Sequence, residues 1–235
     1  KAGGLLQSWC EAKGVTVHTN TQVKAIESTP DELQVVLENG ETCPADVVIV
    51  STGVKPRLHY LEGCDIDIDQ GIVVDAHMQT NQPDVYAAGD CAQGLDFSTG
   101  ETAVHAVQPT ATEHGRIAAA NMVGNNNLPY KGSLNMNILD TLGLVTCSFG
   151  AWEGVAGGDS AEMYNPDNHQ YVNLQFKDDV LVGANSVGYH EHLGVLRGLI
   201  ETQIPLGEWK DRLKENPVNL VDAYQGVNQA ALQNG

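Results

Sequence analysis

Residues 80–90 read TNQPDVYAAGD, and their types and spacing could do chemistry. Asn81, Gln82, Pro83 and Asp84 are turn formers, Val85 to Ala88 make a short apolar strand, and Gly89 and Asp90 close it at its carboxyl end. In open α/β sheets that end is where ligands bind. Small Ala87, Ala88 and Gly89 let another backbone or a ligand come close. A carboxylate there accepts hydrogen bonds from hydroxyls, so a sugar-alcohol chain is its matching partner. In isolation the same aspartate also reads as a turn or cap residue.

The elements that would position it follow from the flanking sequence. Downstream, a polar loop over residues 92–106 leads to QPTATEHGRIAAAN, with Pro109 suited to the first helical position. The small residues after it make a helix that packs closely. Its start offers free backbone N–H groups and a partial positive charge. Upstream, Leu5, Leu6, Trp9 and Cys10 have near-helical spacing, and Gly14 stops the helix. Residues 15–19 (VTVHT), 22–28 and 33–40 then read as short strands, with turns at Pro30-Asp31 and Asn39-Gly40. Residues 45–53, ADVVIVSTG, read as a continuous apolar strand buried on both faces and ending in Thr52 and Gly53.

These motifs resemble the FAD-dependent pyridine nucleotide-disulfide oxidoreductases, in particular the branch of NADH oxidases and nitrite reductase-like NAD(FAD)-utilizing dehydrogenases. The spacing T-x4-V-Y-A-A-G-D looks like the second flavin motif of that family, so the resemblance assigns the ribityl chain of FAD to Asp90, next to Gly89. The run P-x-A-x-x-x-G-x-x-A-A-x-N looks like the helix that meets the pyrimidine side of the isoalloxazine, which gives that contact to Pro109, Thr110 and Ala111. Residues 51–56, Ser-Thr-Gly-Val-Lys-Pro, resemble the family's A-T-G-x-x-P junction around Thr52 and Gly53, with Ser51 in place of the usual alanine.

No G-x-G-x-x-G turn follows a strand in these residues, although a dinucleotide site needs one to seat pyrophosphate on a helix N-terminus. By the resemblance both such turns lie upstream, and the chain is expected to be the C-terminal portion of a longer enzyme. The implied architecture is α/β plus α+β. Residues 1–53 would be the second half of an NAD(P)-binding domain and 54–127 the second half of an FAD-binding domain, both Rossmann-like. Residues 128–235 would form an α+β interface domain.

The implied activity is electron transfer from NAD(P)H through FAD to an acceptor, either a small molecule or a redox protein, in a homodimer. No side chain stands out as acid, base or nucleophile; a reactive cysteine, if the enzyme uses one, would lie upstream. The lysine often found near the start of the interface domain is absent from residues 135–140, NMNILD, and the acceptor stays unassigned. The reading from a different class is a non-catalytic assembly module that dimerises without flavin.

Composition narrows the field. A net charge of −18 and pI near 4.5 oppose nucleic acid and anionic membrane surfaces, and no apolar run has the length of a membrane span. The reading is of a cytoplasmic protein. Five scattered cysteines, Cys10, Cys43, Cys64, Cys91 and Cys147, contain no C-x-x-C pair and form no disulfide framework or zinc site. Cys91 follows the Gly89-Asp90 pair, where a small pocket-lining residue is the expectation over a redox thiol.

Residues 65–71, DIDIDQG, imitate the opening of a calcium loop, but Gln70 and Ala76 occupy positions that need glycine and an acidic ligand. An acidic turn is expected, leading into a strand over 71–75. His190 and His192, two apart beside Glu191, point to different sides of a helix and make no metal site.

A loop and domain boundary are expected at residues 124–129. Beyond it, 135–150 read as strands around Gly143, and 162–188 as antiparallel strands with a turn at Asp178-Asp179. Residues 192–202 read as a helix with Leu193, Leu196 and Ile200 on one face, and further helices follow through Trp209, a core residue, Leu213 and Leu220.

Overall fold

A computed structural model gives the fold and describes residues 1–124 and 128–233. The chain forms two compact units, one of Lys1–Trp9 with Lys55–Gly235 and the other of Cys10–Val54. Helix α1 (Ala2–Ala12) crosses the division, and Gly14, at φ +86, lies just past its end.

The smaller unit is an antiparallel meander of β1 (Val23–Ser28), β2 (Leu33–Leu37) and β3 (Thr42–Ala45). Its turns are fixed by side chains: Thr29 Oγ1 accepts the Glu32 N–H at 3.1 Å, and Asn39 Oδ1 accepts the Glu41 N–H at 3.0 Å. Pro44 is tolerated because β3 is an edge strand.

Two strands expected in this unit are not formed. Residues 15–19 have no regular structure, and neither do residues 46–54. Far from being buried on both faces, Val47, Ile49 and Val50 are 74%, 84% and 70% exposed. An apolar run becomes a doubly buried strand only with paired strands beside it and helices above and below. The described residues of this unit supply an antiparallel meander in their place.

In the larger unit, β4 (Ile72–Val73) pairs parallel with β5 (Ala92–Leu95), which pairs antiparallel with β6 (Thr102–Ala103). The stretch expected as a polar loop over residues 92–106 therefore contains two short strands. Ala92, Gln93 and Gly94 are buried without an apolar alternation to announce them.

The Gln93 amide explains how a polar residue holds this sheet together. Its Oε1 accepts the N–H groups of Gln70 at 2.9 Å and Gly71 at 3.1 Å, while its Nε2 donates to Asp69 Oδ2 and Thr102 Oγ1 at 3.0 and 3.1 Å. The acidic turn before β4 is thus tied to β5 and β6 through one side chain.

Residues 85–88 are extended but form no strand. One antiparallel bridge joins Gln79 to Tyr86, and the Ala87 N–H donates to Met78 O at 3.1 Å. Helix α2 (Gln108–Met122) covers this layer by placing Ile117 and Ala118 against Ile72, Met78, Ala92 and Tyr130. Near its end, Asn121 Nδ2 donates to His77 O, Ile117 O and Leu128 O, and its Oδ1 accepts the Leu128 N–H. Of the loop expected at 124–129, residues 125–127 lie outside the described residues.

The remainder is a five-stranded antiparallel sheet of β7 (Met136–Thr141), β8 (Leu144–Gly150), β9 (Asp159–Asn165), β10 (Gln170–Lys177) and β11 (Val180–Val187), in the order β7-β8-β11-β10-β9. The expected turns are present: Leu142 and Gly143 join β7 to β8 at positive φ, and Asp178-Asp179 join β10 to β11. Period-two alternation sends Val172, Leu174 and Phe176 to one face.

Helices α3 (Leu193–Thr202), α4 (Glu208–Glu215) and α5 (Leu220–Gln233) cover that face with Leu196, Ile200, Leu213, Ala223 and Val227. Trp209 packs against this core as expected. It fits because residue 226 is glycine: a Cβ there would stand 2.2 Å from the indole nitrogen. On the opposite face Leu5 of α1 meets Leu144, Tyr171 and Val187, and the Trp9 indole N–H donates to Thr141 O at 3.1 Å.

Candidate functional site

Gly89, Asp90 and Cys91 form a single 3-10 turn after the extended Ala88. Gly89 adopts φ +76, a conformation that a side chain disfavours, and a Cβ added there would lie 3.4 Å from the Ala111 Cβ. The turn therefore rests directly on the first turn of α2. A glycine at 89 and an alanine at 111 allow that approach.

Asp90 projects from this turn exposed, free to accept hydrogen bonds. Cys91 is half-buried and its thiol donates to Ala88 O at 3.4 Å, which matches a structural lining residue. Pro109 stands in the first turn of α2, Thr110 is buried and Ala111 is half-buried. Val107, at the N-cap, contributes no capping side chain, so none occupies the N–H groups of that first turn.

Sequence reasoning missed the residue that joins the two. His114, one helical turn beyond Thr110, accepts the Gly89 N–H on Nδ1 at 3.3 Å. Its ring is buried, stands edge-on to Tyr130 at 4.7 Å and lies over Gly94, where a Cβ would come within 3.5 Å of it. His114 Nε2 has no hydrogen-bond partner among the described residues. Burial, and secondarily the neighbouring His105, push its pKa below the usual histidine value. Nothing in the residues E-H-G of a helix signals this role.

Around His114, Tyr130 OH pairs with Ser133 Oγ, and burial pushes the phenol up to about 12. His105 Nε2 lies 3.0 Å from Asp96 Oδ2, off the line of a hydrogen bond. Asp96 also accepts the Ser98 N–H at 2.7 Å and the Thr99 N–H at 3.1 Å.

Thr52 and Gly53 belong to the smaller unit. Both are exposed in irregular backbone, with Gly53 at φ +98. A small cleft of about 150 Å³ lies elsewhere, between α1 and the five-stranded sheet, and is lined by Ala2, Leu6, Asn137, Thr146 and Asn185. No group of three or more His, Cys, Asp or Glu among the described residues could hold a metal ion.

Residues 1–110 match the family model described as pyridine nucleotide-disulphide oxidoreductase. Over this stretch the chain is similar to the pyridine nucleotide-disulphide oxidoreductase family. Members of this family use FAD and NAD(P)H. The chain is 32% identical over 92% of its length to NADH-dependent phenylglyoxylate dehydrogenase subunit epsilon of Aromatoleum evansii, and covers 52% of that protein. It superposes on a NAD-dependent persulfide reductase from A. fulgidus with a TM-score of 0.76 at 28% identity, over 87% of this chain and 41% of that one.

At 23% identity, the fold alone is also shared with putidaredoxin reductase in its covalent complex with putidaredoxin. That superposition has a TM-score of 0.81 and covers 96% of this chain and 53% of the other. The chain thus spans about half the length of the curated relative from A. evansii. On chemical grounds the residues of the Gly89–Cys91 turn fit a flavin. An exposed carboxylate suits ribityl hydroxyls, an uncapped helix start suits an electron-rich ring edge, and the close approach at Gly89 leaves no side chain between them.

Proposed function

We propose that this chain supplies the ribityl-binding turn and the pyrimidine-side helix start of an FAD flavoprotein that passes electrons from NAD(P)H to an acceptor. The observation that supports it is the seating of the Gly89-Asp90 turn on α2, with the Gly89 N–H on His114 Nδ1 and Ala111 beneath the glycine.

Asp90 accepts hydrogen bonds from the ribityl hydroxyls and so sets the position of the cofactor along the crevice. The N–H groups and partial positive charge at Pro109, Thr110 and Ala111 favour negative charge on the pyrimidine edge of the ring, which raises its tendency to hold electrons. FAD supplies the chemistry when bound, taking hydride equivalents from the nicotinamide and releasing them to the acceptor. Thr52 and Gly53 belong to the junction that closes the NAD(P)-binding half.

The division we infer is 1–53 for the NAD(P)-binding half, 54–127 for the FAD-binding half and 128–235 for an α+β interface domain. The β7–β11 sheet with its three covering helices supports the last of these, and a homodimer through that domain is part of the proposal. A cytoplasmic location is consistent with helices none of which, among the described residues, is long and apolar enough to cross a membrane. The relatives named above make both a redox protein and a small sulfur compound reasonable acceptor classes.

Replacing Asp90 by alanine in the flavin-containing protein tests the assignment. Hydrogen bonds to a charged group contribute about 1.5–3 kcal/mol, so FAD affinity should fall roughly 10- to 100-fold. Visible flavin absorbance after gel filtration reads the loss. Unchanged retention of FAD by Asp90→Ala would remove the ribityl role, whereas a wild-type protein that shows no flavin absorbance would favour an assembly module that needs no flavin.

A further inference from the structure

We infer that His114 is a positioning residue whose neutral imidazole holds the Gly89-Asp90 turn in its cofactor-binding shape, and that protonating it releases the turn and with it the flavin. The inference rests on the flavin assignment above for its second half only. The hydrogen bond that carries the first half belongs to the protein alone.

The geometry gives the imidazole one role at a time. To accept the Gly89 N–H at 3.3 Å, Nδ1 must carry a lone pair, so the ring is neutral with its proton on Nε2. Adding a proton turns Nδ1 into a donor facing another donor, and the bond is lost. Gly89 is the residue at which such a loss matters most. It is held at φ +76 against Ala111, and a glycine without that bond samples a wide range of backbone shapes. Asp90 is the next residue and moves with it.

The surroundings offer no compensation for a charged ring. His114 is 1% exposed, its Nε2 has no partner among the described residues, and Tyr130 and Gly94 close its other side. The ionisable groups in its field are His105 with its partner Asp96, Tyr130 with Ser133, Glu113 on the same helix and Asp90 on the turn. His105 opposes a second positive charge. Asp96 is engaged by His105 and by two backbone N–H groups, so it stabilises those partners instead.

The test compares three forms of the protein purified with its flavin: wild type, His114→Asn and His114→Leu. Asparagine places an acceptor oxygen close to the position of Nδ1 and does not titrate, whereas leucine fills the space with no acceptor. Two quantities are followed between pH 5 and pH 8: the hydrogen-exchange protection factor of the Gly89 amide and the rate of FAD release, read by the rise in flavin fluorescence.

In wild type, protection should fall and release should quicken on acidification, each by about five- to tenfold, the worth of one backbone hydrogen bond. His114→Asn should stay protected and slow-releasing at all pH values, and His114→Leu should be unprotected and fast at all of them. A pH dependence that persists in His114→Asn would assign the effect to His105 or the carboxylates and overturn the inference.

Should His114→Asn fail to fold, wild type alone decides, since a Gly89 protection factor flat from pH 8 to pH 5 overturns it. If Gly89 protection follows His114 while FAD release ignores it, the link to the flavin is overturned and the hold on the turn stands. Failure of the Asp90 assignment would appear separately, in the Asp90→Ala protein at neutral pH.

Discussion

Among single residues, two glycines lying close in the fold make opposite demands. Gly89 stands at φ +76 with Ala111 under it, and a left-handed backbone costs a side chain about 1–2 kcal/mol. Gly115 is an exposed residue inside α2 with open space where its Cβ would go, and there alanine gains about 1 kcal/mol over glycine. We therefore expect Gly89→Ala to lower the urea midpoint and weaken FAD retention, and Gly115→Ala to raise the midpoint and leave the flavin alone. Equal shifts of one sign would contradict the conformational argument for residue 89. The glycine-aspartate pair and the proline-led helix were legible in the sequence because turn chemistry and small residues are local signals. His114 was not, because an imidazole in mid-helix acquires its meaning from a backbone N–H that lies 25 residues away along the chain.

Secondary-structure elements separate what patterning can tell from what it leaves open. The five strands β7 to β11 were readable because one face is apolar and the other mixed, and their hairpins carry turn residues such as Gly143 and Asp178. Residues 45–53 misled for the converse reason: an apolar run states that burial is needed and is silent about what does the burying. The short β5 escaped notice because a glutamine, Gln93, occupies its centre. That glutamine provides the prediction at this level. Gln93→Leu keeps the volume and strands the buried Gly71 N–H, the Gln70 N–H and the Asp69 carboxylate together. Each stranded donor costs about 1–3 kcal/mol, so the β4-β5-β6 layer should loosen markedly. Hydrogen exchange would show lost protection at Gln70 and Gly71, while β7 to β11 keep theirs. Protection unchanged at both amides would mean that water replaces the amide without cost.

Over the whole molecule, charge is the dominant property, and it acts against the pH response of His114. The chain carries −18, and no lysine or arginine stands between Arg57 and Arg116 while carboxylates run from Glu62 to Glu113. Mutual repulsion destabilises the compact state at neutral pH, and it eases as acidification toward the pI near 4.5 removes charge. His114 works in the other direction. Its folded pKa lies below the unfolded value of about 6.5, so between the two the unfolded chain binds more protons and stability falls as pH falls. Salt distinguishes the two, because a Debye length of about 3 Å at 1 M ionic strength screens exposed carboxylates but leaves a buried hydrogen bond intact. At low salt the thermal midpoint should therefore change little, or rise, between pH 7.5 and pH 5.5. In about 1 M sodium chloride the midpoint at pH 7.5 should be higher than at low salt, and it should now drop on acidification, with His114→Asn flattening the drop. A midpoint indifferent to salt at pH 7.5 would show that the carboxylates are too far apart to strain the fold. A drop of equal size in His114→Asn would place the acid-labile group elsewhere.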